Sequence, residues 1–196
     1  LVAGNTWGAF AGSHGGGDYW VMKIDATGAV QWQKTYGGSG SDVLSSVGQA
    51  ADGGFIIAGT SGSVDGDVSA VTGPGYAICW IVKVSPVGEI QWQKCYYDGS
   101  STPYGQPTSI HRDIAGGYIV AGEATGTGSG FHGQSDYWLM KLNDAGDREW
   151  QGAWGGSSHD NLISCLPDPD GGYLLAGNTG SSNGDVSGFH GDEDYW

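Results

Sequence analysis

A strand–turn–strand stretch that returns at a nearly fixed period limits what this chain can fold into more than any other feature. Residues 18–38 read DYWVMKIDATGAVQWQKTYGG. The second copy, 76–97, reads YAICWIVKVSPVGEIQWQKCYY, and the third, 136–156, reads DYWLMKLNDAGDREWQGAWGG. A fourth begins with Asp194-Tyr195-Trp196. One set of aligned tryptophans is Trp20, Trp80, Trp138 and Trp196, spaced 60, 58 and 58. The second set is Trp32, Trp92 and Trp150, spaced 60 and 58. A period near 58 with aromatic residues at fixed places marks a repeat architecture, in which each repeat buries its apolar face against its neighbours.

Each period holds four strand-like runs, A to D. Run B covers 1–6, 54–60, 117–123 and 172–179, apolar stretches of strand length bounded by glycine. Asp52-Gly53 and Asp170-Gly171 before two of them signal a tight A–B hairpin. Run C is 19–25 and its copies, and run D is 30–36 and its copies. Their connection, Ala26-Thr27-Gly28 or Pro86-Val87-Gly88, suits a type I turn closed by a left-handed glycine. That turn predicts Ser85 opposite Glu89, Val82 opposite Trp92 and Cys79 opposite Cys95. Run A (43–50, 107–114, 161–166) is mixed in polarity and carries Pro107, so it is expected to be peripheral or irregular.

No segment has the 3.6-residue apolar period and caps of a helix. The expected fold is therefore all-β: a β-propeller of four-stranded antiparallel blades, one per roughly 58 residues. The blades are expected near 1–38, 39–98, 99–156 and 157–196, the first and last incomplete, within a single domain. Trp20, Trp32, Trp80, Trp92, Trp138 and Trp150 are expected to dock one blade on the next. Residues 1–6 resemble 175–179, so the chain reads as about three and a half blades of a longer propeller.

Composition narrows the partners. Gly is 39 of 196 residues, which could mean disorder, but 9 Trp, 10 Tyr and 4 Phe argue for a packed fold. A formal charge of −14 excludes a phosphate-neutralising nucleic-acid binder and disfavours an anionic membrane surface. No apolar run is long enough for a transmembrane helix. Cys79, Cys95 and Cys165 make neither a disulfide framework nor a zinc pattern. Cys79 and Cys95 could form a cross-strand disulfide or stay reduced.

Candidate chemistry lies in the B–C loops, 7–17, 62–75, 125–135 and 180–193, because long loops on a rigid scaffold carry binding. Two of them share an acidic turn, Asp65-Gly66-Asp67-Val68-Ser69 and Asn183-Gly184-Asp185-Val186-Ser187. Asp65, Asp67, Asn183 and Asp185 fit first an Asx turn whose side chains cap backbone N–H groups, and after it a calcium site, since they offer the oxygens calcium prefers. The pattern His-Gly-x-x-Asp-Tyr-Trp places His14 with Asp18, His132 with Asp136 and His190 with Asp194. These pairs could lock a loop by hydrogen bonds, hold a transition metal or serve as an acid–base pair. Copy two lacks both residues, which favours the lock. His111 and His159 show no evident partner in the sequence. Trp7, Phe10, Phe131 and Phe189 could stack on sugars or fill gaps between blades.

The phrases DGDVSGFHGDEDYW, DYWVMKIDATGAVQWQKTYGGSGSD and DGGFIIAGTS resemble the tandem repeats of secreted, cell-surface β-propeller-like proteins of Bacteroidetes, many of which carry a type IX secretion sorting domain. The resemblance covers essentially the whole chain and implies a secreted or cell-surface location. Residues 25–32, DATGAVQW, are similar to the tryptophan-docking motif of quinoprotein dehydrogenase propellers, which implies blade stapling and no transfer of redox chemistry. The expected function is a non-catalytic extracellular module for adhesion or for glycan or protein binding, with calcium as the one cofactor suggested. Self-association through open blade edges is a further expectation. The alternative is the propeller domain of a secreted polysaccharide-acting enzyme or a quinoprotein-like oxidoreductase.

Overall fold

The computed structural model describes residues 1–8, 12–69, 78–96, 105–126 and 130–196. Among them every regular element is a β-strand, and the strands form four antiparallel sheets. Sheet 1 holds β1 (Val2–Thr6), β2 (Asp18–Ile24) and β3 (Val30–Tyr36). Sheet 2 holds β4 (Asp42–Gln49), β5 (Phe55–Ser61), β6 (Ile78–Val84) and β7 (Ile90–Tyr96). Sheet 3 holds β8 (Gln106–Arg112), β9 (Tyr118–Ala124), β10 (Asp136–Leu142) and β11 (Arg148–Trp154). Sheet 4 holds β12 (Asp160–Pro167), β13 (Tyr173–Thr179) and the short β14 (Asp194–Tyr195). Each sheet is a meander in which strands adjacent in sequence are adjacent in space. In the two four-stranded sheets run A lies at one edge and run D at the other.

The chain divides into two compact units, Leu1–Tyr97 and Asp98–Trp196, each containing two sheets. In the first unit Tyr19 and Val21 of sheet 1 pack with Phe55, Ile57, Trp80, Val82 and Val84 of sheet 2. The Tyr19 and Trp80 rings lie 4.7 Å apart, and the Tyr19 hydroxyl donates to Trp80 O at 3.3 Å. The second unit repeats this join: Tyr137 meets Trp196 at 4.7 Å and donates to Trp196 O at 3.0 Å. So the Tyr of one Asp-Tyr-Trp segment packs on the aligned Trp of the next repeat. A second aromatic pair accompanies it, Trp32 with Phe55 at 6.1 Å and Trp150 with Tyr173 at 5.9 Å. Trp32 also donates its indole N–H to Pro86 O at 2.9 Å. Of the other aligned tryptophans, Trp138 is fully buried, Trp20 and Trp92 are half-buried, and Trp150 is partly open to solvent.

The C–D turns have the expected form. Gly28, Gly88 and Gly146 adopt φ of 87°, 80° and 77°, where a Cβ would be strained. An Asp25, Ser85 or Asn143 side chain caps each turn by accepting N–H groups two and four residues on. Ser85 does face Glu89, its N–H donating to Glu89 O at 2.8 Å. The register beyond it differs from expectation. A β-bulge between Lys83 and Val84 leaves Gln91 unpaired in the ladder and shifts every later pair by one residue. Val82 therefore faces Gln93, Cys79 faces Tyr96, and Trp80 faces Cys95. The two thiols do not oppose each other, and all three cysteines are free. The same bulge recurs in sheets 1 and 3. Run A is irregular as expected, with a bulge in β4, β8 and β12.

The bulge also serves a buried cation. Lys83 is 4% exposed, and its ammonium donates to both Asp52 oxygens at 2.9 Å, to Val84 O at 3.2 Å and to Gln91 Oε1 at 2.5 Å. The Lys83 hydrogen bond, with Gly54 N–H, holds the Asp52 carboxyl below its ordinary pKa.

Trp80→Ala is expected to lower the unfolding free energy of the first unit by about 3–5 kcal/mol, measured by urea denaturation. A loss below about 1 kcal/mol would show that the Tyr19–Trp80 join is dispensable. Because the Asp52 pKa is depressed on folding, its contribution is in place above the ordinary carboxylate range near pH 4. It fades as pH falls through the lowered folded value. Asp52→Asn is therefore expected to lose stability at pH 6 and to show a smaller further drop between pH 6 and pH 3 than the parent. A drop as steep as the parent's would contradict this assignment.

Candidate functional site

The loop motifs singled out in the sequence converge on one glycine in each unit. In the first unit that residue is Gly37, which follows β3. Asp18 and Asp42, both fully buried, press their carboxylates against it. A Cβ on Gly37 would lie 2.1 Å from Asp18 Oδ1 and 2.6 Å from Asp42 Oδ2, so only glycine fits. Asp67, from the acidic turn of the following repeat, closes the third side. Its Oδ2 accepts Gly37 N–H at 3.2 Å, and its own N–H donates to Gly37 O at 2.9 Å. Asp65 Oδ1 accepts Ser39 N–H at 2.6 Å. That bond holds the Asp65 carboxyl below its ordinary pKa.

Asp42 is the most saturated acceptor of the group. It takes the Ser61 hydroxyl on Oδ1, and the Ser63 hydroxyl and Gly38 N–H, both at 2.8 Å, on Oδ2. Asp18 Oδ2 accepts the backbone N–H of His14 at 2.9 Å, while its buried Oδ1 has no hydrogen-bond donor. The sequence-predicted His14–Asp18 pair is thus joined through the main chain. The imidazole lies apart, with Nδ1 4.0 Å from both Asp18 Oδ1 and Asp67 Oδ2.

The second unit repeats the arrangement around Gly155. A Cβ there would sit 2.2 Å from Asp136 Oδ1 and 2.6 Å from Asp160 Oδ2. Asp185 Oδ2 accepts Gly155 N–H at 3.2 Å, and Asn183 Oδ1 accepts Ser157 N–H at 2.9 Å. His132 N–H donates to Asp136 Oδ2 at 3.0 Å, and His132 Nδ1 lies 3.7 Å from Asp185 Oδ2. Asp160 accepts the Thr179 hydroxyl, the Ser181 hydroxyl at 2.9 Å and Gly156 N–H at 2.6 Å. Burial raises the Asp136 carboxyl above its ordinary pKa, and Asp160 adds to the rise. His190 N–H likewise donates to Asp194 Oδ2, with the imidazole exposed.

Asp65, Asp67, Asn183 and Asp185 therefore all accept backbone N–H groups of a neighbouring loop, as an Asx-type cap does. Among the described residues, no group of three or more His, Cys, Asp or Glu side chains is arranged to hold a metal ion. Asp42 and Asp160 were missed by the sequence reading, although Gly-Gly-Ser-x-x-Asp recurs at 37–42 and 155–160 and marks them. His159 does have a partner, Ser135 Oγ at 3.0 Å, but Ser135 is buried, so the contact ties two loops. His111 is half-buried, and burial lowers its pKa. Burial pushes the Cys165 thiol up to about 11 and Cys95 up to about 12, far from a reactive thiolate. Trp7 is exposed beside Gly17, Phe131 packs on Gly126, Phe189 is half-buried, and Phe10 lies outside the described residues.

Beside the Gly37 clasp, the first unit has an open cleft of about 580 Å³. Its lining includes His14, Gln33, Lys34, Tyr36, Asp67 and Glu89. Lys34 and Glu89 form an ion pair across it, and the Tyr36 hydroxyl donates to Gly88 O at 2.8 Å.

No family model and no curated protein matches this chain. Among solved structures, a Bacteroides caccae protein of unknown function aligns with a TM-score of 0.34 and 16% identity. The alignment covers 81% of this chain and 61% of that protein, so the chain spans about three-fifths of its length. A likeness of this degree assigns neither fold nor function.

Gly37→Ala is expected to destabilise the first unit by about 2 kcal/mol or more, because buried carboxylates must move. Gly4→Ala, whose Cβ meets nothing within 4 Å, serves as the control. Asp42→Asn places an amide donor among three donors and is expected to cost about 1–3 kcal/mol. Equal melting temperatures for all three variants would remove the clasp from the account.

Proposed function

We propose that this chain is a non-catalytic binding and structural module of an extracellular or cell-surface protein, built on β-propeller-type blades. The polar cleft of the first unit is its ligand face, and a glycan is the ligand class. The observation that carries this reading is the division of labour among the polar groups. Within the clasp the motif carboxylates accept backbone and hydroxyl donors, apart from the buried Asp18 Oδ1 and Asp136 Oδ1. Lys34 and Glu89, paired with each other, border open space together with Gln33, His14 and Asp67, and present donors and acceptors suited to sugar hydroxyls. The meander order of every sheet and the Tyr–Trp join between successive sheets support the blade reading. The acidic composition and the repeat resemblance support an exported location.

A glycan array probed with the whole chain, in calcium and in chelator, tests the proposal. Binding to at least one glycan class is expected, with about tenfold loss in a Lys34→Ala/Glu89→Ala variant that keeps the parent melting temperature. Loss of binding in chelator would add a cation to the site. No binding across broad glycan classes, or full binding by the variant, would overturn the assignment.

A further inference from the structure

The clasps contain two features that their hydrogen bonds leave unused. The first is a buried oxygen. Among the described residues, Asp18 Oδ1 and Asp136 Oδ1 are the buried carboxylate oxygens without a hydrogen-bond donor, and both residues are 0% exposed. Each lies against the same glycine as a second carboxylate oxygen, Asp42 Oδ2 or Asp160 Oδ2. A buried anionic oxygen with no donor, beside another carboxylate, calls for a positive partner.

The second feature is an imidazole. Residues 14 and 132 are tied to Asp18 and Asp136 by backbone N–H groups, a bond that needs no particular side chain. Histidine nevertheless stands at both positions, with its ring over the carboxylates. His14 Nδ1 is 4.0 Å from Asp18 Oδ1 and 4.0 Å from Asp67 Oδ2, and His132 Nδ1 is 3.7 Å from Asp185 Oδ2. The middle repeat has Ile78 in place of the aspartate, Tyr97 in place of the glycine and no histidine in the loop before, so the three are lost together.

These spacings are too long for hydrogen bonds, and as placed the groups do not enclose a point at bonding distance. Metal bonds of about 2.0–2.2 Å set neighbouring ligand atoms about 3–3.5 Å apart. A rotamer adjustment of roughly half an ångström by the partly exposed histidine and Asp67 or Asp185 closes that difference. His14 and Asp67 border the polar cleft, which gives an ion a way in and water a place in its coordination shell. We propose that each clasp binds one divalent transition cation, through His14 Nδ1, Asp18 Oδ1 and Asp67 Oδ2 in the first unit and His132 Nδ1, Asp136 Oδ1 and Asp185 Oδ2 in the second. One imidazole nitrogen with two carboxylate oxygens suits zinc or manganese, whereas calcium takes oxygen ligands. The inference does not rest on the glycan reading, because the same set recurs around Gly155 and its readout is the metal alone.

The test uses the whole 196-residue chain, stripped with EDTA and titrated in a calorimeter with zinc, manganese or calcium chloride. Two zinc or manganese ions per chain are expected, bound at least about tenfold more tightly than calcium, with a rise in melting temperature. His14→Ala is expected to leave one ion per chain and His14→Ala/His132→Ala none. Both variants should keep the parent's metal-free melting temperature, because the backbone N–H bonds to Asp18 and Asp136 survive. No saturable binding, or a stoichiometry that the variants leave unchanged, would overturn the proposal. So would calcium binding as tight as zinc and indifferent to the histidines, because the acidic turns alone would then hold the ion. Variants that lose as much stability in EDTA as in zinc would make the rings packing elements and overturn it too.

Discussion

The contact on which each unit depends is the packing of a tyrosine on the tryptophan of the next repeat. Tyr19 on Trp80 and Tyr137 on Trp196 are the same contact made twice, each with the tyrosine hydroxyl bonded to the tryptophan carbonyl. An amphipathic sheet cannot bury its face alone, so one sheet must supply the ring and the next the surface. The polar tip of Tyr19 is satisfied by main chain, so a large aromatic is buried without an orphaned hydroxyl.

The loops follow from that join. Once two sheets pack, the loop after β3 is brought against the acidic turn of the next repeat, and Gly37 becomes the meeting point of three aspartates. Negative charges in such proximity repel, and the cost is offset by aiming backbone N–H and hydroxyl donors at them. Asp42 takes three donors and Asp160 three. The His-Gly-x-x-Asp, Gly-Gly-Ser-x-x-Asp and Asp/Asn-Gly-Asp segments are therefore parts of one clasp. Its residue types suggest chemistry because carboxylates are good acceptors, and here the groups they accept from belong to the protein.

Local propensity alone does not decide burial in this fold. Ile56 of β5 is core because β6 covers it. Burial is a property of what arrives from elsewhere in the chain. The same reasoning separates Lys83, sealed between Asp52 and Gln91, from what its position in an apolar strand would suggest.

The 58-residue period, the all-β class, the four runs per repeat and the glycine-closed turns were legible in the sequence. They depend on local alternation and on φ values that few residues tolerate, and those are local properties. The pairing of His14 with Asp18 was legible as proximity, since four residues across a tight loop must be close. That the main-chain N–H makes the bond was not legible, because side-chain direction is set by packing. The β-bulge at Gln91, which separates Cys79 from Cys95, lies where a strand residue accepts from a buried lysine, and it moves the register by one. The convergence of Asp18, Asp42 and Asp67 on Gly37 joins residues up to 49 positions apart. Only the tertiary structure decided it, because sheet-on-sheet packing, and no local pattern, brings those loops together.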